Sequence, residues 1–448
     1  MHRLSIALPR WRARAEIVLA AAALALPVGA QALQPLEAFV QSARQRSPDN
    51  DEARANLDQQ KAQEDVALGR VLPGLSARGN YVRSQYQASV TVPTDPAAPP
   101  RSITITPYDQ LTGSATVSAT LIDLASFQRV AAAGTAAEAS AKQVEATSLQ
   151  VESQVVQDYF QLLAYLSLVQ SSQRALDVSR TNLQLTQARF DAGTVTALDT
   201  DRATADVERQ VQLLESARLQ VVLAARALQS TSGLAPESLS PVPFEDDLHP
   251  EPGLDTFSPP DAELPAVAAA MKNRRSFEQQ ATAQRLALLP AFTANFTESA
   301  TNTPSFAGRN YYWQAGVGLT WQLDLTTFAN IRAQVAEADA ARAREQRARL
   351  AARDAIHRYW NTVVADIANS RSARAQAKAS ENAARLAQDR YEVGAATQLD
   401  LLQAQRDSYS ADVARIQADA DLANARTQLR LAAGRDPFAG PQNPKPSR

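Results

Sequence analysis

The chain has 448 residues, with 45 Lys and Arg against 47 Asp and Glu, three histidines and no cysteine. A formal net charge of -2 supplies no basic surface for nucleic acid, and the missing cysteines exclude a disulfide framework and any thiolate metal site. Ala, Gln, Arg, Leu and Asp dominate, Gly is low at 15 and the 24 prolines are clustered, so the composition favours long helices.

At the N-terminus Arg3, Arg10, Arg12 and Arg14 precede the apolar run IVLAAAALALPV, and small residues follow in VGAQA. This is the layout of a secretory signal peptide over 1–32, cut near Ala30 or Ala32. The run is too short to span a bilayer, and no cysteine stands near the cut to carry a lipid. Its removal takes away four Arg and one Glu and leaves the mature chain at about -5. An exported protein without a membrane helix is expected.

A helical segment over 33–72 comes next, and Pro73 ends it. Four stretches then depart from the helical pattern: LSARGNY from Leu75, LTGSATVSATL from Leu111 to Leu121, FTANFT from Phe292 after Pro290, and YYWQAGVGLTWQL from Tyr311 to Leu323. In the last, Tyr311, Trp313, Ala315, Val317, Leu319, Trp321 and Leu323 share one face. Alternation of this kind fits either a small soluble sheet or, with aromatics towards the ends, strands of a transmembrane barrel. The signal peptide and the long helices favour the barrel. Four strands from one chain cannot close it, and open edges cannot sit in lipid, so several chains must share it. Three chains give twelve strands, a number that physics permits without dictating.

The segments 108–235 and 305–436 contain no proline. In the first, Val155, Tyr159, Leu162, Leu166 and Val169 step by helical spacing, and Leu176, Leu183 and Phe190 continue by sevens. Val207, Val211, Leu214, Val221 and Leu228 form a second seam, while Ile356, Trp360, Val363 and Ile367 form a third. Such heptads predict coiled-coil-like packing, with a helix over about 124–190 on the order of 100 Å long.

The chain also repeats itself. QARFDAGTVTALDTDRA from Gln187 returns as QDRYEVGAATQLDLLQA from Gln388, an offset of 201. At that offset Asp123-Leu124 matches Asp324-Leu325, Phe127 matches Phe328, Tyr159 matches Trp360, Gly233 matches Gly434 and Pro236 matches Pro437. Pro73 matches Pro290 at an offset of 217, so the first unit carries 16 extra residues before Asp123, assigned to the loop VPTDPAAPP. Two tandem units are read, roughly 36–235 and 262–436, joined by a Pro-rich linker over 236–261 and closed by a tail over 436–448.

These tandem units, the helix–strand–strand–helix order, and the two Arg-aromatic-x-x-Gly turns followed by Leu-Asp resemble the TolC family of outer-membrane efflux and secretion channels. The resemblance covers about 36–436. It implies a mainly α fold with a small transmembrane β part: a homotrimer sharing a twelve-stranded barrel in outer-membrane lipid, continued by a long periplasmic α-helical barrel. The strands and extracellular loops would then occupy 73–121 and 290–321, and the tunnel helices 33–72, 122–289 and 322–435. Partners implied are a periplasmic adaptor and an inner-membrane pump, in the envelope of a Gram-negative bacterium.

Each Gly motif becomes, by the resemblance, a helix–helix turn at the periplasmic tip. The adaptor-docking turns fall on Arg189, Phe190, Gly193, Thr194 and Val195, and on Arg390, Gly394, Ala395 and Ala396. A left-handed C-cap by itself explains Gly193 and Gly394, and the helix dipole by itself suits Arg189 and Arg390, with a bridge to a neighbouring hairpin as the other reading. Thr196 with Asp199 and Thr397 with Asp400 each fit a capping box. The resemblance adds that Asp199 and Asp400 help form the constricted entrance, where Gln403 replaces a second acid and Tyr391 serves a closed latch paired with Asp199. An Arg that helps this latch in some members falls on Ala396.

His2, His249 and His357 assemble no triad or metal motif, and no phosphate-binding loop is present in the sequence. No catalysis, cofactor or metal is therefore expected. The competing reading is a periplasmic coiled-coil adaptor or scaffold. It would need lipoyl-like β halves and a membrane anchor, whereas the four alternating strands and duplicated tips favour the channel.

Overall fold

The computed structural model describes residues 33–92, 101–240, 246–303, 308–435 and 437–438. The signal peptide, most of the C-terminal tail and nearly all of the VPTDPAAPP loop lie outside the described residues.

Helices α1 (Leu36–Arg46) and α2 (Pro48–Gly69) lead into strands β1 (Gly74–Arg83), β2 (Ala88–Val92), β3 (Arg101–Thr106) and β4 (Asp109–Ile122). Helix α3 (Leu124–Asp191) turns back as α4 (Ala197–Ser232). Two 3-10 turns, Leu254–Phe257 and Asp261–Glu263, then precede α5 (Pro265–Leu286). The second unit continues with β5 (Ala291–Thr301), β6 (Tyr311–Thr320), α6 (Leu325–Glu392) and α7 (Gln398–Ala432). The mainly α fold class with a small β part is thus present.

Local chemistry sets the boundaries. Both α3 and α6 have 68 residues, about 100 Å at 1.5 Å per residue. Each starts on an aspartate N-cap: Asp123 accepts the Ser126 N–H at 3.0 Å and Asp324 the Thr327 N–H at 2.8 Å. Both α2 and α5 have 22 residues and open on a proline, Pro48 and Pro265, at the position where a missing N–H costs nothing.

The duplication extends to individual contacts. The Tyr159 hydroxyl donates to the Gln34 carbonyl at 3.3 Å, and its counterpart, the Trp360 indole, donates to the Pro252 carbonyl at 2.9 Å. Arg44 forks onto Glu152 at 2.7 and 2.8 Å. At the equivalent place Asp261 receives Arg353 at 3.2 and 3.3 Å, the same bridge with its polarity reversed. Gly233, at φ +69, leaves room for Arg46, and its counterpart Gly434, at φ +67, faces Glu263.

The seams are buried as their spacing requires. Val155, Tyr159, Leu162 and Leu166 join Phe39, Val40, Val221 and Leu228 in one core. Ile356 and Val363 join Phe257, Val267, Leu422 and Leu429 in its repeat, and Leu176, Val207 and Leu214 continue the first seam along the α3–α4 hairpin. Phe190 departs from its seam and is 41% exposed.

The main sheet is antiparallel in the order β1-β4-β5-β6. One face carries the row Leu75, Val117, Phe296 and Ala315, the other the row Ser76, Thr116, Thr297 and Gln314. Glu298 is an exception on the apolar side, level with Trp313. Ten residues of β6 span about 33 Å, or about 25 Å when tilted by about 40°, the height of a lipid-facing band.

Four strands were expected, and the described residues hold six. β2 and β3 pair with each other in a separate ladder, because ASVTV and RSITIT are β-branched and alternate, a signal overshadowed by the prolines between them. The 25 residues between β1 and β4 exceed the 9 between β5 and β6 by the 16 that separate the two offsets. No helix among the described residues is long and apolar enough to cross a membrane.

Candidate functional site at the hairpin tips

The turns α3–α4 and α6–α7 are built alike. Gly193 and Gly394 adopt φ of +73 and +74, the left-handed region. The Gly193 N–H donates to the Phe190 carbonyl at 2.8 Å and Thr194 N–H to Arg189 at 2.9 Å. In the twin, Gly394 N–H donates to Tyr391 at 3.0 Å and Ala395 N–H to Arg390 at 2.7 Å. Both are Schellman closures, and they satisfy carbonyls that a helix end leaves unpaired. The Thr194 hydroxyl also donates to the Arg189 carbonyl at 3.0 Å. Val195 is half-buried, as is Ala396, while Ala395 is exposed.

Each returning helix opens on a capping box. Asp199 accepts the Thr196 N–H at 3.1 Å and its hydroxyl at 2.8 Å. Asp400 accepts the same groups of Thr397 at 3.1 and 2.7 Å. The Thr397 hydroxyl, then its N–H, and finally the nearby Arg390 charge hold the Asp400 carboxyl below its ordinary value. Gln403 is exposed and donates to Asp407 at 2.9 Å.

The two hairpins meet through Arg189. Its guanidinium donates to the Tyr391 carbonyl at 3.0 Å and the Glu392 carbonyl at 2.8 Å, and lies 4.5 Å from the centre of the Tyr391 ring. Tyr391 is 3% exposed, with its hydroxyl 3.4 Å from Thr186 Oγ1. Gln398 reaches the same threonine at 3.5 Å. Among the described residues no hydrogen bond joins Tyr391 to Asp199; the structure brings Tyr391 to Thr186 and Arg189, and ties Asp199 to its own cap. Arg390, unlike Arg189, is exposed.

Further up the wall lies a set of buried and half-buried acids that the heptad reading missed. Asp206 receives Arg406 at 3.1 Å and Ser179 at 3.1 Å, fastening α7 to the first hairpin. Asp412 takes the Ser171 hydroxyl at 2.6 Å and Arg415 at 2.8 Å. Burial pushes the Asp412 carboxyl up, but Ser171 and Arg415 outweigh it and hold it low. Asp419 takes Arg374 at 2.9 Å. The available signal was an acid on the buried side of a helix: Asp206 lies next to Val207 and one turn from Gln210, both buried. A groove of about 900 Å³ lies between the hairpins, lined by Arg174, Asn182, Asp206, Arg374, Gln388 and Tyr409 among others.

One cluster among the described residues has metal-ligand geometry: Asp246, Asp247 and His249, with ligand atoms within 4.8 Å. A guanidinium already supplies the positive charge there. Arg426 reaches Asp246 at 3.0 Å and His249 Nε2 at 2.7 Å, and pairs with Glu251 at 2.6 Å.

The family model "Outer membrane efflux protein" matches residues 39–234 and 262–435, one match on each tandem unit. The chain belongs to this outer membrane efflux protein family. It is therefore an outer-membrane protein with a large periplasmic helical part, and the TolC-like resemblance of the chain holds.

Among relatives, the outer membrane efflux protein BepC of Brucella suis is 26% identical over 289 residues, which cover 62% of this chain and 63% of that protein. The match thus spans less than two thirds of that relative's length. Solved structures that share the fold of this efflux protein include the following two. The CmeC outer membrane channel of Campylobacter jejuni is 18% identical with a TM-score of 0.76, over 90% of this chain and 86% of that one. The outer membrane protein VceC of Vibrio cholerae is 18% identical with a TM-score of 0.74, over 89% and 96%.

Proposed function

We propose that three copies of this efflux protein form an exit duct of a tripartite efflux or secretion system. The duct would conduct substrates passively from an inner-membrane pump and a periplasmic adaptor to the exterior. One observation carries the reading: the four-stranded sheet ends on two edges, β1 and β6, with one apolar and one polar face. An edge cannot remain unpaired in hydrocarbon. The internal repeat supplies the partner, because β1 corresponds to β5 and β4 to β6. The β4–β5 pairing therefore recurs as β6 of one copy on β1 of the next, and twelve strands close at three copies.

In this assembly the two kinds of hairpin alternate around one mouth. Arg189, Phe190, Gly193, Thr194 and Val195, with Arg390, Gly394, Ala395 and Ala396, form the rim offered to the adaptor. Asp199, Asp400, Gln403 and Tyr391 surround the entrance. The mass of the detergent-extracted particle, by light scattering with detergent subtracted, tests the reading. Three mature chains are expected; a single chain would leave open edges in lipid and refute it. For the entrance, conductance in planar bilayers rises when Tyr391 or Asp199 is replaced by Ala, and an unchanged conductance in both removes these residues from the gate.

A further inference from the structure

The tandem halves repeat their contacts pair by pair: Tyr159–Gln34 with Trp360–Pro252, Arg44–Glu152 with Arg353–Asp261, and Gly233–Arg46 with Gly434–Glu263. At the tip, the first half meets the second through the fork of Arg189 on the Tyr391 and Glu392 carbonyls and through Thr186, which meets Tyr391 and Gln398. Its repeat would run from the second half to a following first half, which one chain does not contain. A closed ring, the reading proposed above, provides that first half in the next copy.

We infer that Arg390 forms this second seam. Its guanidinium donates to the carbonyls of Phe190 and Asp191 of the partner subunit, and lies over the ring of Phe190 of the partner subunit. Phe190 is 41% exposed in the single chain while its counterpart Tyr391 is 3% exposed, as expected of a ring whose cover comes from another copy. Arg390 is likewise exposed, whereas Arg189 is half-buried.

The neighbours change together. In the first seam the Tyr391 hydroxyl meets the Thr186 hydroxyl, and the Gln398 amide donates to that threonine. At the offset of 201 that links Gln187 to Gln388, these three positions become Phe190, Ala387 and Ala197. Where the aromatic ring loses its hydroxyl, the threonine it met and the glutamine that bonds this threonine are lost as well. A buried hydroxyl without a partner is costly, so this joint exchange is what a packed, dry seam requires. An exposed Phe190 would place no demand on residues 387 and 197. The ring therefore has two seams: one inside each chain lined by hydroxyls, and one between chains that is apolar. Both are clamped by arginine on backbone carbonyls.

The chain has no cysteine, so introduced pairs report cleanly. Full-length protein carrying Asp191→Cys and Arg390→Cys is treated with a short thiol-specific cross-linker, and Arg189→Cys with Glu392→Cys serves as the within-chain reference. Covalent dimers and trimers are expected from the first pair and single-chain mass from the second. Heat resistance of the assembly on gels gives the second readout. Phe190→Tyr should lower the dissociation temperature, and adding Ala387→Thr should restore it by supplying the hydroxyl found in the first seam. A three-chain mass with neither covalent oligomers nor a Phe190→Tyr effect overturns the seam and leaves the duct reading standing. A single-chain mass overturns both.

Discussion

Replacing Arg189 with Ala removes the arginine bridge at the tip between the two hairpins of one chain. Two charge-assisted bonds, at 3.0 and 2.8 Å, and a ring contact at 4.5 Å are lost. A half-exposed bond to a charged donor contributes about 1 kcal/mol and the cation–π contact about 0.5 kcal/mol. The freed Tyr391 carbonyl keeps the Gly394 N–H at 3.0 Å, which limits the penalty. The net loss is then about 2 kcal/mol, or roughly 30-fold in the equilibrium for local opening. Hydrogen exchange by mass spectrometry on a peptide spanning 388–398 reads this directly, through the Val393, Gly394 and Ala395 amides that close the turn. Exchange there should accelerate roughly 30-fold while a peptide over 150–165, in the main core, remains unchanged. Arg189→Lys should fall between parent and Ala, since an ammonium keeps the charge and loses the fork. Identical exchange at the tip of parent and Ala variant would refute the bridge.

Three more outcomes follow from the geometry. Glu152→Ala removes the buried acceptor of the Arg44 fork and of the Ser148 hydroxyl and should cost about 2 kcal/mol in a thermal melt, because the pair is half-exposed on the arginine side. The double change Arg44→Asp with Glu152→Arg, which copies the polarity of Asp261–Arg353, should recover most of it; a double variant no better than Glu152→Ala would show that the two halves are not interchangeable there. The carboxyls of Asp400 and Asp412 are held low when folded, so each stabilises above the ordinary carboxylate value and loses that contribution as pH falls through its lowered value. The melting difference between parent and Asp400→Asn should therefore be full near pH 7 and shrink below about pH 4; a difference constant across that range counts against the cap. On the sheet, Val317→Lys places a charge on the apolar face and should cost about 2–4 kcal/mol in folding into liposomes. Thr116→Lys, on the polar face, should fold normally, and equal effects of the two would reverse the assignment of faces.

The sequence by itself determined the tandem repeat, the long helices and the closure of both tips. Each of these rests on short-range rules: apolar spacing along a helix, Gly in the left-handed region, Thr paired with an acid three residues on. Gly193, Gly394, Asp199 and Asp400 accordingly take the places their motifs prescribe. The alternating strands were equally legible, apart from the β2–β3 hairpin flanking the prolines. Only the tertiary structure decided what the tips touch. Arg189 and Arg390 stand at equivalent places in the two motifs, yet one is folded onto a neighbouring hairpin and the other is left outward. The exchanges beside the arginines gain meaning only once the contact is known, because the partner carbonyls of Arg189 lie 202 and 203 residues away. The same holds for the buried acids Asp206 and Asp419 and the half-buried Asp412. An aspartate is ordinary on a solvated helix face, and only the approach of Arg406, Arg415 and Arg374 from other turns or helices allows it to be buried.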